Sequence, residues 1–346
     1  MRGNSPVVDK LMKWQHSGSL RNATKAAHAD NHAIATPLAA LAGYVYAKDV
    51  KYLTKIANKI FNGDAKPLDE RNISVDRFQA TVDGMLIEST ADLVRIRTAT
   101  GGHLGVVCYR GTIPEDLISI LGVLELGAKQ FDAKDKRNPV PTEWEGSVHS
   151  GFYRNFIATR DEVVEALNVD LRGGRRGDGQ KDDFGELEAL YLSGHSLGGA
   201  MAVLMAMTLA TEHKEIWGKL RGVFTFGQPM VGDGIFAGFC KGKLDSRLIR
   251  YIYCKDIVPH LPPDLSTGDF KHVGDEYRYE RGQEGWKYSQ ELAKRGGWKV
   301  ILTPVSYLER RVAFLSRVQR LLPFGLPYSI DDHSPNGYID TFENLL

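Results

Sequence analysis

Cysteine is scarce: the 346-residue chain has three, an odd number with no close pair. That excludes a disulfide framework and a cysteine-based zinc site. Cys108 and Cys254 sit in apolar runs that read as core strands, so both are expected as buried free thiols, the state that fits a reducing compartment. An excess of one charge is also missing. With 44 basic and 43 acidic side chains, nothing points to nucleic acid as a partner. No apolar run approaches the length of a bilayer, so no transmembrane segment is expected, and the N-terminus lacks the basic-then-apolar order of a secretory signal. The expected location is therefore cytoplasmic by default, or outside the cell by a signal-less route. His16, His28 and His32 are scattered through the polar opening, and no His-Glu or Cys-His spacing suggests a metal. Solvated or packing histidines are expected there.

What is present is enough apolar material, 42% of residues, to bury a large core in one α/β domain with insertions or in two domains. Ile34, Leu38, Leu41, Ala42 and Val45 recur at helical spacing and predict a helix over residues 33–48, with Pro37 in its first turn. A second helix is expected over 52–61, stopped by Asn62-Gly63. Helices ahead of a sheet would cover it. Strands are expected over 78–88, 93–98 and 104–109, rich in β-branched and aromatic residues, with the last two separated by 98–102. They would form an antiparallel start to a parallel sheet. Arg110-Gly111-Thr112 leaves the third strand where an open α/β sheet places its ligands, beyond the carboxyl ends of strands. Further on come a long helix over 151–171, a glycine- and charge-rich surface excursion over 172–186, and strands over 220–226 and 248–254.

The chain is organised around Leu190-Tyr191-Leu192-Ser193-Gly194-His195-Ser196-Leu197-Gly198-Gly199-Ala200. An apolar strand meets Gly-His-Ser-Leu-Gly, and a small-residue, Met-rich helical run follows, which is the strand-turn-helix setting of a nucleophile elbow. The residues two before and two after the serine must be small, and Gly194 and Gly198 are. Ser196 would then project its hydroxyl, and the Leu197 amide, first in the helix, would face whatever that hydroxyl attacks. Asp256 lies just past the strand over 248–254, where an acid must sit to reach a histidine from the ligand edge. Its other reading is a loop carboxylate capping the turn before Pro259. Asp233, Asp245 and Asp264 follow no convincing strand.

Residues 194–199, together with Tyr109-Arg110-Gly111-Thr112 and Asp256-Ile257-Val258-Pro259, resemble the class 3, or fungal-type, lipase family of α/β-hydrolases. Val148-His149-Ser150-Gly151-Phe152, Gly227-Gln228-Pro229, His260-Leu261-Pro262-Pro263 and residues 270–276 continue the resemblance. It implies an α/β fold, a mostly parallel central sheet with an antiparallel N-terminal part, flanked by helices. It also implies a serine carboxylic-ester hydrolase with Ser196, Asp256 and His333 as the catalytic triad, Thr112 and Leu197 as the oxyanion hole, and no metal or organic cofactor. His272 competes as base, but family members keep a structural histidine there and place the base nearer the C-terminus, in the position of His333. His149 and His195 are read as scaffold. Asp332, next to His333 in sequence, is badly placed to orient its neighbour's ring. Thr112 is also a candidate helix N-cap, and the two roles are compatible.

The expected layout is a polar extension over 1–32 and a hydrolase domain over 33–346, with a lid at 113–146 and a C-terminal insertion at 282–328. Residues 115–128 are too apolar for an exposed helix, and read either as a mobile lid that meets acyl chains or as a buried core helix. The amphipathic run over 307–322 either packs on the core or lies on an anionic membrane. The implied substrate is a lipid ester at a lipid–water interface, an acylglycerol first, with phospholipids or short-chain esters as alternatives. A non-catalytic lipid-binding protein is the alternative of another class. Chain length, headgroup and oligomeric state are not encoded in these motifs.

Overall fold

The strand before the elbow is apolar on both sides, and its alternation divides the molecule: Leu190 and Leu192 face one core, Ala189 and Tyr191 the other. A strand buried on both faces belongs inside a parallel sheet covered by two helical layers. The structure, a computed structural model, has that architecture. It describes residues 4–16, 20, 23–62, 72–82, 87–112, 130–132, 140–173, 184–244, 247–262, 269–289, 329 and 331–343.

Helices α1 (Pro6–Lys13), α2 (Lys25–Tyr44) and α3 (Val50–Asn62) precede strands β1 (Ile73–Val82), β2 (Ile87–Arg97) and β3 (His103–Tyr109). After β4 (Gln130–Asp132) and β5 (Ser147–His149) come α4 (Ser150–Leu171), β6 (Leu187–His195), α5 (Leu197–Glu212), α6 (Lys214–Lys219) and β7 (Leu220–Phe226). The chain continues through β8 (Gly232–Asp233), α7 (Gly234–Leu244), β9 (Leu248–Tyr253), β10 (Phe270–Lys271), β11 (Asp275–Tyr279), β12 (Lys287–Ser289) and α8 (Pro335–Glu343). The main sheet runs β1-β2-β3-β6-β7-β9-β11-β12. Its pairs are parallel from β3 to β11 and antiparallel at both ends. A smaller antiparallel sheet has the order β10-β8-β5-β4.

The strand expected over 78–88 is instead the end of β1 and the start of β2, which pair Val82 with Ile87. Asp83-Gly84 between them is a hairpin dipeptide, a stronger local signal than the apolar residues around it. The strand expected to end at Cys254 stops at Tyr253, and Cys254 takes a left-handed backbone, φ 48°. Cys108, Cys240 and Cys254 are all free and buried.

Helix α5, the elbow helix, is buried along all but its last residue, so its sequence lacks a polar stripe and needs neighbours on every side. Residues of α4, α5 and α7 build the core on one face of the sheet, and residues of α1, α2, α3 and α8 the core on the other. Helix α2 begins eight residues before the expected start at Ala33, capped by Thr24, whose hydroxyl accepts from the Ala27 amide at 3.2 Å. Pro37 therefore lies inside the helix and not in its first turn. The boundary expected after residue 32 falls within α2, and the segment before it packs on the sheet: Val8, Leu11 and Trp14 are buried, and Trp14 Nε1 donates to Asn31 Oδ1 at 3.0 Å. The three early histidines meet β9 and β11 here. His28 Nδ1 lies 2.6 Å from the Tyr277 hydroxyl, His32 Nδ1 3.2 Å from that of Tyr251, and His16 3.3 Å from Asp275.

Of the expected lid at 113–146, residues 113–129 and 133–139 lie outside the described residues; the remainder includes β4 and the buried Val140 and Trp144. Of the insertion at 282–328, the amphipathic run and all of 290–328 lie outside them, as do 174–183 of the charged excursion. No helix among the described residues is long and apolar enough to cross a membrane.

Candidate active site

Strand β6 ends in the turn that holds Ser196, whose backbone sits at φ 60°, ψ −131°. A left-handed non-glycine residue costs on the order of 1–3 kcal/mol and persists only where its surroundings over-determine it. Here the Ser196 amide donates to the Phe226 carbonyl, 2.9 Å away at the end of β7, and the Ser196 carbonyl accepts from Gly199 at 2.9 Å. The flanking glycines allow the chain to close on itself. A Cβ on Gly194 would stand 2.3 Å from the Gly198 carbonyl carbon, and one on Gly198 would stand 2.1 Å from the Tyr109 carbonyl oxygen. Backbone occupies both places, so no side chain fits. Leu197 opens α5, whose N-terminal end favours negative charge beside Ser196.

Asp256 follows β9 by three residues and has no exposure. Its Oδ1 accepts from the Val258 amide at 2.8 Å, and its Oδ2 from the Tyr338 hydroxyl at 2.5 Å. His333 Nδ1 faces both oxygens, at 2.9 and 2.8 Å. A carboxylate only accepts, so this contact assigns the ring proton to Nδ1 and leaves a lone pair on Nε2. His333 sits in a one-turn 3₁₀ helix, Asp331–His333, that is laced to the Asp256 loop. Ser329 pairs with Asp256 in a parallel bridge, its amide donating to the Lys255 carbonyl at 2.7 Å. Asp332 accepts from the Lys255 amide at 3.1 Å and pairs with Arg281. It anchors the loop and leaves the ring of its neighbour to Asp256.

The pair and the serine meet at the ends of β6 and β7. Gly227, next after the Phe226 that binds Ser196, lies against the pair: a Cβ there would be 2.6 Å from Asp256 Oδ2 and 2.9 Å from His333 Cε1. His333 Nε2 is buried and has no hydrogen-bond partner among the described residues, so its bond to the Ser196 hydroxyl is not formed. Such bonds are often long in ligand-free sites and tighten with substrate. On the other side of the serine runs the segment after β3. A Cβ on Gly111 would lie 2.9 Å from Ser196 Cβ, and Thr112 follows, half-buried.

The rival residues are engaged elsewhere. His272 Nε2 lies 2.7 Å from the Pro259 carbonyl, and burial, then the Arg250 charge, hold its imidazole well below 6.5. His149 caps α4, its Nδ1 accepting from the Gly151 amide at 3.1 Å, and burial pushes it down to about 4. Asp233 caps the start of α7, its two oxygens accepting from the Phe236 amide at 2.8 Å and the Ser147 amide at 3.0 Å. Asp245 and Asp264 lie outside the described residues. Sequence reasoning did not single out Tyr338, on the partner oxygen of Asp256, or Tyr46, whose hydroxyl lies 2.9 Å from His195 Nδ1. A tyrosine one turn past His333 was the one available signal for the first; the second had none.

A strained serine between a parallel strand and its helix, beside a buried carboxylate–imidazole pair, is the arrangement expected of the α/β-hydrolase fold. Residues 106–266 match the family described as Lipase (class 3). The triacylglycerol lipase OBL1 of Nicotiana tabacum is 32% identical over 171 residues, 43% of this chain and 30% of that protein. The secreted mono- and diacylglycerol lipase LIP4 of Malassezia restricta is 31% identical over 198 residues, 56% of this chain and 59% of that protein. Over residues 106–266 the chain is similar to the class 3 lipase family. It spans less than two thirds of the length of these curated relatives. Among solved structures, the Rhizomucor miehei lipase propeptide complex has a TM-score of 0.58 at 20% identity, covering 92% of this chain and 81% of that one. The lipase of Rhizopus microsporus var. chinensis has a TM-score of 0.57 at 19% identity, covering 96% and 94%. Both share the fold.

Proposed function

We propose that the protein hydrolyses carboxylic esters of lipids, acylglycerols above all, through an acyl-enzyme on Ser196. The observation that carries this reading is the buried Asp256–His333 contact at 2.8 Å, with Nε2 unpartnered beside the elbow. His333 Nε2 takes the hydroxyl proton as Ser196 Oγ attacks the ester carbonyl. Asp256 holds the ring in the Nδ1–H tautomer and stabilises the imidazolium that forms. The carbonyl oxygen becomes an oxyanion facing the Leu197 amide and Thr112, and losing one such donor costs roughly 10²–10³ in turnover. The imidazolium then protonates the departing alcohol, water attacks the acyl-enzyme with His333 again as base, and the fatty acid leaves. These steps need no metal or organic cofactor.

Acylglycerols are favoured because the relatives of Nicotiana tabacum and Malassezia restricta are described as lipases for tri-, di- and monoacylglycerols. Action at a lipid–water interface is part of the same proposal. The test is hydrolysis of triacylglycerol, diacylglycerol, phosphatidylcholine and p-nitrophenyl butyrate, above and below the aggregation limit of each, by wild type and Ser196→Ala. Expected are faster rates on aggregated acylglycerols than on phospholipid, and loss of all four activities in the variant. Undiminished hydrolysis by Ser196→Ala would end the reading; preference for phosphatidylcholine would keep the chemistry and change the substrate class.

A further inference from the structure

His195 ends β6 immediately before the serine, and its ring turns away from the hydroxyl to spend both nitrogens on other elements. Nε2 lies 2.8 Å from the main-chain carbonyl of His333, and Nδ1 2.9 Å from the Tyr46 hydroxyl just past α2. A carbonyl only accepts, so Nε2 carries the proton; Nδ1 is then an acceptor, and the Tyr46 hydroxyl donates to it. The two contacts together specify one tautomer. The ring also stacks on that of His333, with centroids 4.4 Å apart and planes at 30°, and meets the edge of Tyr338 at 5.6 Å. Tyr46, His333 and Tyr338 are the titratable groups against it.

From these contacts we infer that His195, with its tautomer set by Tyr46, is a positioning residue that fixes the distance between the base and the nucleophile. The inference rests on the triad reading above. The other attachments of the His333 loop among the described residues do not perform this task. Ser329 and Asp332 tie it to the loop after β9, and Nδ1 ties the ring to Asp256. Those contacts set the base against the acid. The His195–His333 bond is the one that joins the base's own main chain to the residue preceding the serine. Because His195 is the last residue of a central strand and Ser196 the next, this bond transmits the rigid frame of the sheet to the Nε2–Oγ separation. A neutral ring is also required there. Burial, and then the charge of His333, keep His195 well below 6.5, so it presents no competing charge when His333 becomes an imidazolium in the reaction.

The test is kcat and KM for p-nitrophenyl butyrate, measured well below each variant's melting temperature, for His195→Phe, His195→Gln, Tyr46→Phe and Ser196→Ala. His195→Phe keeps a ring and loses the donor. A misplacement of about 1 Å costs about 100-fold, so kcat is expected to fall roughly 30- to 100-fold with KM within about twofold. His195→Gln, whose amide nitrogen reaches the same carbonyl, is expected to recover most of that loss. Tyr46→Phe frees the tautomer and is expected to lower kcat by roughly three- to tenfold, again at constant KM. Wild-type kcat in His195→Phe or Tyr46→Phe, with Ser196→Ala inactive, overturns the inference and leaves the triad standing; so does a glutamine variant no better than the phenylalanine one. An active Ser196→Ala overturns the triad instead. Should His195→Phe fail to fold, Tyr46→Phe decides.

Discussion

A carboxylate without solvent must find its donors inside the protein, and among the described residues Asp256 finds three: the Val258 amide, the His333 ring and the Tyr338 hydroxyl. Tyr338 matters twice, because its oxygen also accepts from the Tyr253 amide at 3.1 Å. Burial, and then the Asp256 charge, push the phenol well above its ordinary value, so it remains a donor across the working pH range. Removing a hydrogen bond to a charged group costs roughly 1.5–3 kcal/mol, about ten- to a hundredfold in rate if the loss falls on the transition state. Tyr338→Phe is expected to lower kcat by about that factor with KM unchanged, as read from steady-state kinetics on a soluble ester. Wild-type kcat would reduce Tyr338 to packing.

At the scale of an element, the cap of α4 makes the fold sensitive to acid. His149 is 1% exposed, and burial lowers its imidazole from 6.5 to about 4. Between those values the unfolded chain binds a proton that the native ring refuses, so stability present above pH 6.5 is lost as the pH falls toward 4. The slope is at most about 1.4 kcal/mol per pH unit. His149→Asn keeps an oxygen that accepts from the Gly151 amide but does not titrate. Urea midpoints between pH 7 and 4.5 should therefore fall less steeply in the asparagine variant than in wild type. Parallel curves would assign the acid sensitivity to other groups, His32 first, which burial and then the charge of His28 lower to about 4.

At the scale of the molecule, the two faces of the sheet are closed by different parts of the chain. One is closed by helices interleaved with the strands, the other chiefly by segments from both chain ends. On that second face Trp14 packs against Tyr191 and Phe224, its indole tied to Asn31. A Cβ on Gly222 would come within 3.0 Å of its ring, so the glycine leaves the place the indole fills. Trp14→Ala opens a cavity and removes the donor to Asn31; the expected cost is about 3–5 kcal/mol, read from urea unfolding. A loss under about 1 kcal/mol would mean that α1 is docked without contributing to the core. The sheet interior also holds charge: Arg250 and Glu276 pair at 2.7 Å, both fully buried, and Arg95 binds Asp170 at 2.9 Å. Truncating Glu276 would leave the buried Arg250 guanidinium without its bonded carboxylate.

Sequence alone determined the local parts of this protein. The elbow could be read because strand, glycines, serine and helix are consecutive, and their constraints act between neighbours. The order of Ser196, Asp256 and His333 followed from family motifs whose residues lie beside strand ends. Even locally, the continuous strand expected over 78–88 is two, with Val82 paired to Ile87, because its apolar residues obscured the turn-forming Asp83-Gly84 in the sequence. What only the tertiary structure decided are contacts between residues distant along the chain. Tyr338 and Asp256 are 82 positions apart, Tyr46 and His195 149, His28 and Tyr277 249. Nothing in the composition around a tyrosine says which carboxylate it will meet. That is settled when a terminal helix and an N-terminal helix close over the same face of one sheet, and each buried polar group must take the partner the packing brings to it.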